Sequence, residues 1–206
     1  MQNLRVAVQA VYRDPAFLAP DSCERIRRAM DAGVAESAEV LEGQIERRDA
    51  VRLAASIEID DLVRADVETR LDAAREAIAM FHGVPLGPRE GAGFIRYPVG
   101  GFYRSHRDRA SVPSWPEAAR RCIAVVVFLN SSNDTGAGGF AGGILRLFVD
   151  GSPIEVHPRA GFLIAFPADA LHEVTAVRGG TRDAVVDWFY GPASDVQSDR
   201  APTVTR

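Results

Sequence analysis

The chain has no lysine: all 24 of its basic residues are arginine. Schiff-base catalysis, which needs a lysine amine, is thereby excluded. Any cation that grips an anion in a pocket must be arginine, the better side chain for two-point contact with a carboxylate. Basic residues are also outnumbered. The 28 acidic residues leave a net charge of −4, which gives no reason to expect a nucleic-acid partner. Cysteine is nearly missing: Cys23 and Cys122 stand at no metal-binding spacing and read as free thiols of a reducing compartment. Long apolar runs are missing too. The longest, Ile123 to Leu129, is far too short to span a bilayer. Arg5, Arg13 and Asp14 interrupt what would otherwise be a signal-peptide core. A cytoplasmic protein with no membrane partner is expected.

What is present suits one domain. A chain of 206 residues that is 47% hydrophobic can bury a substantial core without disulfides. Leu4 to Tyr12 reads as a strand closed by Asp14-Pro15. Asp21 can cap a helix running to about Gly33, with Glu24 at the capping-box position. Ala35 to Ile59 reads as one or two strands joined by a mobile loop around Arg47-Arg48-Asp49. Asp60 or Asp61 can cap a longer helix, in which Leu62, Val63, Val67, Leu71, Ala74, Ile78 and Phe81 recur at helical spacing. Gly83 suits its left-handed C-cap.

After Pro88 the pattern changes to short strands between turn residues. The expected strands are Ala92 to Tyr97, Arg121 to Leu129, Gly143 to Phe148, Ile154 to His157, Gly161 to Phe166, Glu173 to Val177 and Thr181 to Tyr190. Asn130 to Gly142 reads as a loop, and Ala193 to Arg206 as a flexible polar tail. Helices followed by a run of strands predict a mainly β fold of jelly-roll type with buttressing helices. Residues 1–192 would form one domain, with residues 1–90 as the N-terminal part and 91–192 as the β core.

Histidine is scarce, four in all, so its placement is informative. His106 and Asp108 lie two apart in the strand-like segment Tyr103 to Asp108, a spacing that puts both side chains on one face and turns Arg107 away. With one distant histidine they would form a two-histidine, one-carboxylate triad, which leaves open positions on iron(II). A His-x-Asp pair by itself is weak, since roughly a third of chains of this composition carry one by chance.

His172, at the expected start of a strand, can supply the third donor if two jelly-roll strands face each other across the mouth. A hairpin through Arg178-Gly179-Gly180 would put Arg182 on the strand next to His172. Arg182, Ala184, Val186 and Trp188 then share a face. An arginine among apolar residues is costly without an anionic partner, and a dicarboxylate cosubstrate would be one. Gly142-Gly143 allows close backbone approach ahead of an apolar strand.

These pieces occur in a particular order. Tyr97-Pro98-x-Gly100 precedes Tyr103-x-x-His106-x-Asp108, Arg121-Cys122 and Phe128-Leu129-Asn130. Gly142-Gly143-Ile144-Leu145-Arg146, Pro158-x-x-Gly161, Phe166, His172-Glu173-Val174, Arg182 and Trp188 follow. The series resembles the iron(II)- and 2-oxoglutarate-dependent prolyl 4-hydroxylase superfamily. It is most similar to the prolyl hydroxylase domain group of oxygen-sensing enzymes and their bacterial relatives, over about Gly93 to Tyr190.

The resemblance implies a double-stranded β-helix in which His106, Asp108 and His172 hold Fe(2+). Arg182 would pair with the C-5 carboxylate of 2-oxoglutarate, beside Tyr97 and Val126. Tyr103, Leu145 and Trp188 would line the cavity, with Arg121 on the substrate side. O2 would be the second cosubstrate and ascorbate a reductant. The implied reaction is hydroxylation of an unactivated C–H bond, first of all in a proline, either free as a small molecule or within a peptide. Another amino acid or a natural-product intermediate, and a jelly roll that binds a ligand without catalysis, are the alternatives. Asp108 itself favours hydroxylation, because halogenating relatives have a small residue there. Phe128 stands where the oxygen-sensing group commonly has a tyrosine that helps to hold the cosubstrate, so weaker binding is expected.

Overall fold

The computed structural model describes residues 11–38, 48–111, 115–133, 138–149 and 152–192. Most of the expected first strand, Arg47 and the polar tail lie outside these residues. What is described of the N-terminus begins with strand β1 (Tyr12–Asp14) and helix α1 (Pro20–Ala32). The helix starts one residue before the cap expected from Asp21. Ala19 is its N-cap and offers no side-chain bond, while Pro20 takes the first helical position. Proline fits there because its φ is already helical and its missing N–H would have no partner in any case. Asp21 therefore sits in the first turn, where its charge faces the positive end of the helix dipole.

β2 (Val34–Ser37) follows, then a helical turn α2 (Arg48–Val51), β3 (Arg52–Leu53) and β4 (Ala55–Glu58). β2 and β4 pair antiparallel, the two strands expected between Ala35 and Ile59. Helix α3 (Asp61–His82) is capped by Asp60, which accepts from the Leu62 and Val63 N–H groups at 2.9 and 3.3 Å. It ends at Gly83, whose φ of 66° is the left-handed conformation that favours glycine.

The β core comprises β5 (Gly93–Tyr97), β6 (Phe102–His106), β7 (Arg121–Phe128), β8 (Ala141–Gly142), β9 (Leu145–Val149), β10 (Ser152–Val156), β11 (Leu163–Pro167), β12 (Leu171–Val174), β13 (Val177–Gly179) and β14 (Arg182–Tyr190). A seven-stranded sheet runs β1-β11-β7-β14-β5-β4-β2, and a five-stranded sheet runs β10-β9-β12-β6-β3. β8 and β13 form a small ribbon. This is the double-stranded β-helix with helical buttress that the sequence predicts.

Strand alternation divides the interior into two cores. On one face of the large sheet, Phe94, Ile123, Val125, Val127, Val185 and Phe189 pack against Ile26 and Met30 of α1 and Val67, Leu71 and Ile78 of α3. Each such side chain, fully buried, contributes about 1.5–3 kcal/mol. The opposite face, with Ile95, Tyr97, Ala124, Val126, Phe128 and Ala184, meets Tyr103, Leu145, Leu147 and Val174 of the smaller sheet. The helices thus hold the large sheet from behind and leave its front face to build a pocket.

Candidate metal and cosubstrate site

His106 is the last residue of β6 and His172 the second of β12, and the two are direct partners in the antiparallel register. They are neighbours within the five-stranded sheet, not residues facing each other across the mouth. The expected hairpin between His172 and Arg182 does not form either. Val177–Gly179 pairs instead with Ala141–Gly142, and the chain then crosses to the large sheet, where Arg182 pairs with Tyr97. Arg182 consequently lines the pocket from the sheet opposite the histidines. Asp108 departs from the strand picture as well: β6 ends at His106, and Asp108 lies in a bend. Arg107 turns outward and donates to the Asp169 carbonyl.

The three candidate ligands converge nonetheless. Asp108 Oδ1 lies 3.3 Å from His106 Nε2, and its Oδ2 lies 3.5 Å from His172 Nε2. All three donor atoms fall within 4.8 Å of one another. Adjacent ligands bound at ~2.1 Å would be about 3 Å apart, so the cluster is close to the size a divalent ion requires. Tautomers point the same way. His106 Nδ1 lies 2.8 Å from the Arg104 carbonyl and His172 Nδ1 2.9 Å from the Ala170 carbonyl. A carbonyl only accepts, so each Nδ1 carries the proton and each Nε2 presents its lone pair to the cluster.

Burial, the largest influence, pushes the His172 pKa down to about 4, which keeps it neutral and ready to donate. Burial alone would raise Asp108, but the charge that His172 and His106 carry when protonated outweighs it and holds the carboxyl below its ordinary range. Two lone pairs and a carboxylate pointed at one spot repel each other unless a cation lies between them. The donor set fits Fe(2+).

Arg182 is 2% exposed, and burial pushes its pKa down. Its guanidinium stacks over Tyr97 at 4.9 Å and near Phe128 at 5.4 Å. The Nε has no hydrogen-bond partner among the described residues. The adjacent Asp183 faces the helices, where Arg27 and Arg96 hold it at 3.0 and 2.8 Å. Gly143 makes room for the Arg182 stem. It has φ 59°, and a Cβ there would come 2.9 Å from Arg182 Cδ. Val126 and Leu145 line the same pocket. Tyr103 stacks on the His106 ring at 3.5 Å between centroids, and burial raises its pKa. Arg121 also borders the pocket, but its guanidinium is engaged by Glu90 and lies 3.7 Å from the Trp188 ring centroid.

Three residues here escape sequence reasoning. Arg52 reaches in from β3 over the Tyr103 ring at 4.5 Å, Trp115 forms part of the wall, and Glu90 pairs with Arg121. Trp115, Trp188 and Arg52 also border a second cavity of about 480 Å³, whose far wall carries Glu36, Ser37 and Ser56. No sequence motif marks Arg52 or Glu90: Arg52 is placed by the pairing of β3 with β6, and Glu90 lies outside the strands.

Fold and site together define a jelly-roll domain with an iron-type donor triad and a buried arginine opposite. Residues 92–190 match the profile of the 2OG-Fe(II) oxygenase superfamily, and they form a domain of that superfamily. A PKHD-type hydroxylase of Shewanella frigidimarina is 30% identical over 105 residues, 50% of this chain and 44% of that protein. Another, from Hyphomonas neptunium, is 36% identical over 122 residues, 58% and 50% of the two chains. The chain spans about half the length of these curated relatives. A Pseudomonas putida prolyl-4-hydroxylase structure superposes with a TM-score of 0.70 at 27% identity, covering 90% of this chain and 95% of that one. A Trichoplax adhaerens prolyl hydroxylase, solved with a hypoxia inducible factor peptide, shares the fold with a TM-score of 0.71 at 18% identity, over 88% and 83% of the two chains. Among the described residues no helix is long and apolar enough to cross a membrane.

Proposed function

We propose that this chain is an iron(II)- and 2-oxoglutarate-dependent hydroxylase whose preferred target is a proline within a peptide. The observation that carries the proposal is the convergence, in one pocket, of three metal donors and a buried arginine whose Nε lacks a partner among the described residues. His106, Asp108 and His172 would hold Fe(2+), which when bound supplies the one-electron and O2 chemistry that no side chain offers. Arg182 would bind and orient the C-5 carboxylate of 2-oxoglutarate, with Tyr97 beneath its guanidinium and Val126 and Leu145 excluding water. The overall change balances: 2-oxoglutarate, O2 and R–H give succinate, CO2 and R–OH, with one oxygen atom entering succinate and the other the substrate.

Substrate would enter through the second cavity. Its volume of about 480 Å³ lies within the usual range for small-molecule sites, and its wall carries both charges, hydroxyls and indoles, which suits a residue with its flanking backbone. The likeness to the Pseudomonas prolyl-4-hydroxylase over nearly the whole of both chains supports proline as the target. Cys23 and Cys122 are both free thiols, in keeping with the reducing cytoplasm.

The test is 2-oxoglutarate turnover with Fe(2+) and ascorbate as reductant, following succinate. Succinate stimulated by a prolyl peptide and not by free proline is expected, with hydroxyproline in the recovered peptide. Stimulation by free amino acids alone would move the target to a small molecule. No succinate under any condition would overturn the enzymatic proposal.

A further inference from the structure

Of the three candidate ligands, Asp108 alone lies outside a strand, so sheet alternation does not orient it. Backbone contacts do so instead. The Asp108 N–H donates to the Ala168 carbonyl at 2.9 Å, and the Asp108 carbonyl accepts from Arg121 Nη1 at 3.1 Å. Arg121 is the first residue of β7 and is 2% exposed. Its Nε donates to Glu90 Oε2 at 2.6 Å and its Nη2 to Glu90 Oε1. The Trp188 and Trp115 rings lie 3.7 and 4.8 Å from the guanidinium carbon. Glu90 is fixed in turn, since its N–H donates to the Trp188 carbonyl at 2.9 Å.

We propose that Arg121, held by Glu90 and the two indoles, is a positioning residue for the carboxylate ligand Asp108. The inference rests on the assignment of His106, Asp108 and His172 as the metal site. Its physical basis is the division of labour around one carboxylate. Arg121 touches the Asp108 backbone carbonyl and not its carboxylate, so it occupies neither carboxylate oxygen. Glu90 cancels the arginine's charge, so the cation that fixes Asp108 does not compete with the metal for it. A contact of this outer kind usually governs metal affinity by roughly 10–100-fold. With its fork on Glu90 and its planes beside indoles, Arg121 is built to hold the protein, not to greet a substrate.

Titration of the metal-free full chain with Co(2+), followed by its visible absorption, tests this without any turnover. Arg121→Gln is expected to weaken Co(2+) binding roughly 10–100-fold, and Glu90→Gln by about tenfold. Arg121→Lys should not restore affinity, because an ammonium cannot span Glu90 and the Asp108 carbonyl with a planar fork. Asp60→Ala, which removes only a distant helix cap, serves as a stability control and should bind Co(2+) as the parent does.

If Arg121→Gln does not fold, Glu90→Gln decides the matter. If the unmodified chain binds no Co(2+), it is the metal site that fails. Binding by the parent and undiminished binding by the Arg121 and Glu90 variants overturns the positioning role, whatever happens to turnover. The same holds if Asp60→Ala weakens binding equally, since the effect would then be general.

Discussion

Replacing Arg182 by methionine should make the chain more stable and less able to bind cosubstrate at the same time. A guanidinium with 2% exposure has lost its hydration, and its Nε has gained no partner among the described residues in exchange. For a buried ion that penalty is several kcal/mol. The stacks over Tyr97 and Phe128, at 4.9 and 5.4 Å, offset about 1 kcal/mol each. A net destabilisation of roughly 2 kcal/mol remains in the cosubstrate-free chain. Methionine fills much of the same volume without charge. Removing the penalty should raise Tm by about 4–8 °C for a domain of this size.

The opposite sign applies to 2-oxoglutarate. Two charge-assisted hydrogen bonds at about 1.5–3 kcal/mol each are lost, which weakens binding by roughly two to four orders of magnitude. Calorimetric titration of 2-oxoglutarate into the Mn(2+)-loaded chain and thermal unfolding without cosubstrate measure the two effects. In the parent, saturation to 100 times Kd should add about 2.7 kcal/mol of stability, a gain the variant cannot show. A variant that melts below the parent would refute the account of Arg182 as a cation awaiting an anion. Undiminished cosubstrate affinity would refute it as well.

Three further outcomes follow from the same geometry. Phe128→Tyr places a hydroxyl beside Arg182, and it should tighten 2-oxoglutarate binding several-fold by adding a second group able to hold the distal carboxylate. Equal affinity in parent and variant, measured by the same titration, would count against the idea that Phe128 weakens the site. Gly143→Ala should cost about 1–2 kcal/mol by denaturant unfolding, since φ is 59° and the new Cβ meets Arg182 Cδ at 2.9 Å; displacing that stem should also raise KM for 2-oxoglutarate. The metal-free chain should lose stability as pH falls. Burial sets the folded pKa of His172 at about 4, below its ordinary value of 6.5, so the unfolded chain binds the extra proton first. This contribution is complete above pH 6.5, declines toward pH 4 and amounts to about 3 kcal/mol. Thermal unfolding across that range would show no such decline in His172→Gln if the histidine is its source.

The donor chemistry of the site is written in residue types, and so it is legible. His106 and His172 are two of only four histidines, Asp108 stands two residues from the first of them, and Arg182 is an arginine where apolar alternation calls for none. Their arrangement depends on pairings between distant segments. His172 meets His106 because β12 lies beside β6, and Arg182 reaches the far side because β13 pairs with β8 before the chain turns. Neither choice has a local signal, so both the hairpin and the placement across the mouth come out differently in the fold. The first helix shows the same limit on a small scale. Asp21 is a good cap by type, but Pro20 is a better first residue, and the cap moves by two, to Ala19.

Furthest from legibility is the frame around Asp108. Arg121 stands 13 residues away and enters the motif series only as a substrate-side residue, while Glu90, a further 31 from Arg121, belongs to no motif. A charged side chain that acts on a backbone carbonyl looks, in sequence, like any other surface charge. It follows that substitution of Glu90 would leave every motif of the chain intact and still loosen the carboxylate on which the choice of chemistry depends.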